Sequence, residues 1–177
     1  LPQLEKEYHF WMRGTDEVHE NNLSSHHVVR LNAGMILNHY WDENDTPRAE
    51  AFKEDSLLAK SVDNKKSLYR HLRAGAESGW DYSSRWFKNK KDFASIHTAD
   101  IIAVDLNCLL LNLEKTIAEA YQLSGNNSMS ETYITSMNKR KKAIDQFCWN
   151  EQEGFYFDYD YVSGAQTHSW TLAAAFP

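Results

Sequence analysis

The run Ser78-Gly79-Trp80-Asp81-Tyr82-Ser83-Ser84-Arg85-Trp86 sets one carboxylate among three aromatic rings, a guanidinium and serine hydroxyls. It follows directly on a glycine suited to ending a helix in a left-handed conformation. Flat apolar rings can stack on the faces of a sugar, and Arg85 and the serines can hydrogen-bond its hydroxyls. A carboxyl crowded by Trp80 and Trp86 would have its charged form disfavoured and would keep a proton near neutral pH. A proton donor of that kind is what cleavage of a glycosidic bond requires. The same residues allow a plainer reading, a helix stop in which Trp80 plugs the core and Asp81 caps the next turn.

A second polar and aromatic concentration is Trp41-Asp42-Glu43-Asn44-Asp45-Thr46-Pro47-Arg48. Thr46 followed by Pro47 reads as an N-cap and first helical residue, opening a helix through about Ala59. Arg48 and Glu50 then lie in its first turn beside the loop that carries Trp41, where they can face a ligand or simply pair with each other on the surface.

These residues need a scaffold, and hydrophobic periodicity supplies one. Leu68, Tyr69, Leu72 and Ala76 make one face of a helix over 64–78, capped by Asp63 and stopped at Gly79, which delivers Asp81. Ahead of it, Leu4, Tyr8 and Trp11 behind Pro2 predict a short helix that Gly14 ends; residues 15–25 read as a polar loop, and 27–31 and 35–40 as two strands around Asn32-Ala33-Gly34. After Asp81, residues 88–95 suggest one short helix. Asp105 then caps a long helix in which Leu106, Leu109, Leu110, Leu113, Ile117 and Ala120 recur before Gly125. The capping-box pattern Ser128-Met129-Ser130-Glu131 opens a second long helix with Met129, Tyr133, Met137, Ile144, Phe147 and Cys148 on one side, so the two form an antiparallel hairpin. Within it, Lys139-Arg140-Lys141-Lys142 reads as a solvated face near the helix C-terminus. A short strand over 155–161 turns at Ser163-Gly164, and another helix starts within 169–176. The expected fold is all-α, built from helix pairs with a few short hairpin strands.

Composition bounds the rest. The chain has 177 residues, 42% hydrophobic and 13% aromatic, with six Trp, nine Tyr and few Gly or Pro, which suits one helical domain with rings to spare for a cleft. A net charge of −6 without a dominant basic patch argues against nucleic acid or an anionic membrane as partner. Cys108 and Cys148 sit in amphipathic patterns and read as small buried hydrophobes rather than a disulfide or zinc site, which suits a reducing compartment. His26-His27 would point to opposite sides of a strand, so no metal site is expected there. The chain starts at Leu1-Pro2 without an initiator Met or signal peptide, and a preceding segment is expected.

Several segments, in order and spacing, resemble trehalases: Leu37-Asn38-His39-Tyr40-Trp41-Asp42, Asp45-Thr46-Pro47-Arg48-Ala49-Glu50, Arg73 through Trp86, Val104-Asp105-Leu106-Asn107, and Trp149-Asn150 through Gly154-Phe155-Tyr156. The resemblance covers nearly the whole chain, and the run around Asp81 is its most specific part. It implies part of an (α/α)6 toroid, over 1–177 and truncated at both ends, that serves hydrolysis of α,α-trehalose to two glucoses with inversion. It also implies that Asp81 is the general acid, that Arg48, Glu50 and Gly79 bind substrate, and that no cofactor or metal is needed. Ala49 stands where the family more often has Pro. The family's Pro-Gly-Gly-Arg-Phe and Gln-Trp-Asp segments, and its Gly-rich loop with the base Glu, do not occur here, so the remainder of the catalytic domain is expected as partner, in a monomeric full-length enzyme. Half a toroid alone would leave apolar helix faces bare, so an inactive carbohydrate-binding or structural fragment is one alternative and another (α/α)6 glucosidase a second. The Arg-Ala-Gly-Ala and Asp-Tyr details look more like a cytoplasmic than an exported, periplasmic member.

Overall fold

Pro2, whose missing N–H costs nothing at a helix start, opens α1 (Pro2–Met12), and Gly14 ends it with φ +93°. The computed structural model describes all residues 1–177. A three-stranded antiparallel sheet follows, β1 (Ser24–Ser25), β2 (Val28–Arg30) and β3 (Ile36–Asn38), with Val29 opposite Leu37. Both of those side chains are fully buried. The predicted helix after Pro47 begins later. Arg48 is extended (φ −67°, ψ 142°), a 3-10 turn spans Ala49–Ala51, and only then does α2 (Phe52–Leu58) run. Thr46 is therefore not its cap.

Helix α3 (Lys65–Glu77) starts from Asn64, whose side chain accepts from the Ser67 N–H, one position beyond the Asp63 expected. Residues 88–95 do not form the expected helix. They make a loop closed by a bridge between Phe87 and Ile96, with a single 3-10 turn at Phe93–Ser95. β4 (Ile101–Ile102) leads into α4 (Val104–Leu123), which has no side-chain cap. Asp105 lies inside its first turn, its carboxylate spent on tertiary partners. Gly125 (φ +80°) turns the chain into α5 (Asn127–Phe147), capped by Asn126 through the Met129 N–H rather than by the Ser128 capping box. α4 and α5 pack along their length as a hairpin. β5 (Trp149–Asn150) pairs with β6 (Phe155–Tyr156), while β7 (Tyr159–Asp160) lies between β4 and β8 (Ala165–Gln166). A 3-10 turn at Leu172–Ala175 stands where a helix was expected to start.

The fold is all-α, five helices with small antiparallel sheets at their ends, and it is part of the helix-pair toroid described above. The core has two main clusters, one around Leu72, Trp86 and Ile101 and one around Leu37, Val104 and Ile144; Trp80 packs against both. Arg140 departs from the solvated face predicted for it. It is buried, pairs with Glu114 at 3.0 Å and donates to Asn38 and Asn107. No helix is long and apolar enough to cross a membrane.

Candidate active site

The end of α3 determines how Asp81 is presented. Ser78 Oγ donates to the Gly75 carbonyl at 2.6 Å and accepts from the Trp80 N–H at 3.1 Å. Gly79 adopts φ +70°, with no atom within 4 Å of the place a Cβ would take, so the backbone angle rather than space demands glycine there. The chain then alternates. Trp80 turns inward and its Nε1 donates to Asp105 at 2.6 Å. Tyr82 also turns inward, its hydroxyl accepting from Arg48 Nη1 at 2.7 Å and donating to the Leu72 carbonyl. Asp81 stands exposed between these two anchored rings.

The crowding expected from Trp80 and Trp86 is therefore not present around Asp81. Trp86 is fully buried in the core, lying under the Arg85 guanidinium at 4.1 Å. Asp81 is not a cap either, because Ser83 Oγ accepts from the Arg85 N–H that opens the next turn. Arg85, which the sequence suggested could hydrogen-bond a sugar, is largely committed inside the protein, and only its buried Nη1 is left without a partner. Its Nε and Nη2 donate to Asp158 at 2.7 and 2.9 Å, and Nη2 donates to Asp105 at 2.6 Å. Burial alone would lower its pKa, but the two carboxylates outweigh that and raise it, so the charge is kept.

Arg48 and Glu50 line a cleft of about 610 Å³ together with Asp42, Arg73 and Glu77, within the range usual for small-ligand sites. They do not pair with each other. Arg48 forms its ion pair with Asp55 at 2.7 Å, which raises the guanidinium pKa against the opposing effect of burial. Glu50 is exposed on the 3-10 turn. Across the cleft, Glu77 accepts from the Trp41 N–H at 2.7 Å and contacts His27 Nε2 at 2.7 Å. Arg73 pairs with Asp42 at 3.0 Å. Burial pushes the Asp42 carboxyl up, but bonds from Arg73 and Asn44 outweigh it and hold it below the usual carboxylate range. Trp80, Ser83 and Ser84 line a separate cleft of about 440 Å³ with Lys90, Ser169 and Trp170.

The structure thus brings Arg48 and Glu50 to one cleft and joins that cleft to the Asp81 loop through Tyr82. Sequence reasoning missed Asp55, Asp105 and Asp158 as partners. For Asp55 a signal existed: it lies three and four positions before Leu58 and Ala59, on the side of α2 that Ala59 buries. For Asp158 there was none, since its partner lies 73 positions away.

The chain matches the sequence profile of the family described as Trehalase over residues 1–177. It is 43% identical over 179 aligned positions to a putative periplasmic trehalase of Escherichia coli O157:H7 and to the periplasmic trehalases of E. coli O139:H28 and K12. Each match takes in 100% of this chain but 32% of the relative, so the chain spans about a third of their length. Those names put the relatives in the periplasm and do not support the cytoplasmic location expected from the sequence. With its full length matched by the profile, this chain belongs to the trehalase family.

Proposed function

We propose that this chain is part of an enzyme that hydrolyses α,α-trehalose to two glucose molecules with inversion, and that Asp81 is the general acid protonating the bridging oxygen. The observation that carries the reading is the display of Asp81 between the anchored rings of Trp80 and Tyr82, the second of which is hydrogen-bonded to the Arg48 that lines a cleft with Glu50. Guanidinium N–H groups and a carboxylate suit the vicinal hydroxyls of a sugar. The open space at Gly79 lets a hydroxyl approach its backbone.

Inversion needs a second carboxylate about 6.5–9.5 Å from the acid, with a water between them. That base, and the enclosure that lets Asp81 keep its proton until the leaving oxygen needs it, come from the part of the longer protein outside residues 1–177. The relatives' names favour a periplasmic location for the whole enzyme. The free, buried thiols of Cys108 and Cys148 suit either compartment.

Asp81→Asn in the full-length protein is expected to lower kcat by roughly 10²–10⁴-fold, the usual loss of general acid catalysis. Turnover within about tenfold of wild type would remove Asp81 from that role. Purified residues 1–177 are expected to bind trehalose without cleaving it, and unaided turnover would show that the base lies within them. A panel with maltose and kojibiose checks the substrate: a preference for either points to a different glucosidase.

A further inference from the structure

Arg48 is held by two side chains. Asp55, 2% exposed, accepts from the Arg48 backbone N–H at 3.0 Å, from Nε at 3.0 Å and from Nη2 at 2.7 Å. Tyr82 takes Nη1 at 2.7 Å and lies with its ring 4.9 Å from the guanidinium carbon, while its own hydroxyl proton goes to the Leu72 carbonyl in α3. Of the five N–H bonds of the guanidinium, three are committed inside the protein and two are left for a ligand. Tyr82 is also the residue after Asp81. A bidentate carboxylate and a fixed phenol hold a planar guanidinium in one orientation, so little of its side-chain freedom remains to be lost on binding.

We infer that Asp55 and Tyr82 are positioning residues: they aim Arg48 at the sugar and tie that aim to the loop that carries Asp81, so the binding arginine and the proton donor share one anchor. This rests on the functional reading above. Neither residue is asked to touch substrate. Asp55 faces away from the cleft into the protein, and the Tyr82 hydroxyl, with one donor and one acceptor already used, has a single lone pair left. The tyrosine hydroxyl has a direct role, because a phenylalanine could fill the same space but would leave Nη1 free to swing.

The test is steady-state kinetics of trehalose hydrolysis by the full-length protein carrying Arg48→Lys, Tyr82→Phe, Asp55→Asn, and Tyr82→Phe combined with Arg48→Lys. Arg48→Lys is expected to lower kcat/KM by about 10–100-fold, the effect of losing a charge-assisted bidentate contact. Asp55→Asn should approach that loss, and Tyr82→Phe should show a smaller one of about 3–10-fold with the same division between KM and kcat. Because they act through Arg48, Tyr82→Phe should add little on the Arg48→Lys background, whereas a merely structural role would add its full loss there. If Asp55→Asn does not fold, Tyr82→Phe and its double variant decide the matter alone. Single-variant kinetics within twofold of wild type, or full additivity, overturn the positioning role. Should Arg48→Lys itself leave kcat/KM unchanged, Arg48 is not in the site and the functional reading is what fails.

Discussion

Arg85 keeps its charge in a place water does not reach, under an indole and between two carboxylates. Removing one member of such a group strands the others, which is far more damaging than losing an exposed pair. Arg85→Met is expected to cost about 3–5 kcal/mol, read as a lower urea midpoint, because Asp105 and Asp158 would be left buried and unpaired. Asp42 offers a milder case with a definite sign. Its carboxyl is held below the usual range in the folded protein, so its pairing with Arg73 adds stability above the unfolded carboxylate pKa, and that stability is lost as pH falls through the folded value. Asp42→Asn should therefore lower Tm near neutral pH and leave it almost unchanged in acid where the folded carboxyl is itself protonated. None of these partnerships was legible in the sequence. Charged residues read as solvated wherever a pattern is scored locally, and Arg85, Glu114, Arg140 and Asp158 find their partners only once the chain has folded back on itself.

At the scale of the element, α3 does more than deliver Asp81. Gly75 lies in its interior, where glycine ordinarily costs about 1 kcal/mol relative to alanine. A Cβ there would come within 2.5 Å of Tyr82 Cε1, and the ring cannot retreat while its hydroxyl is bonded to Leu72. Gly75→Ala is thus expected to lower Tm and raise KM in the parent. Its penalty should shrink in Tyr82→Phe, where the ring is free to shift; thermal melts of the four proteins in that cycle measure the coupling, expected at about 0.5 kcal/mol or more. The helices themselves were readable from apolar spacing, and α1, α3, α4 and α5 fall close to where it put them. Their starts were harder. Asn64 and Asn126 cap where Asp63 and Ser128 were expected, one and two positions away and with the same side-chain acceptor chemistry. Thr46-Pro47 failed as a helix start because Arg48 is extended, with both its backbone N–H and its guanidinium donating to Asp55. The alternation that hides Trp80 and Tyr82 and shows Asp81 depends on contacts with α4, with α3 and with the extended Arg48, so the sequence suggested a ring-lined acid where the folded chain exposes one.

Across the whole molecule, three stretches distant in sequence meet at Arg85: the Asp81 loop, the first turn of α4 and the residue before β7. The same loop is tied again beyond its exposed part, by the Phe87 and Ile96 bridge and by the His97 N–H donating to the Trp86 carbonyl at 2.9 Å. Lys88, Asn89, Lys90, Lys91 and Asp92, between these ties, are all exposed. A trypsin cut after Lys90 or Lys91 would therefore sever the backbone without releasing either side. The nicked protein should run as one species on a native gel and fall into two only in denaturant, and two separate pieces under native conditions would show that the loop's attachments are weaker than their geometry implies.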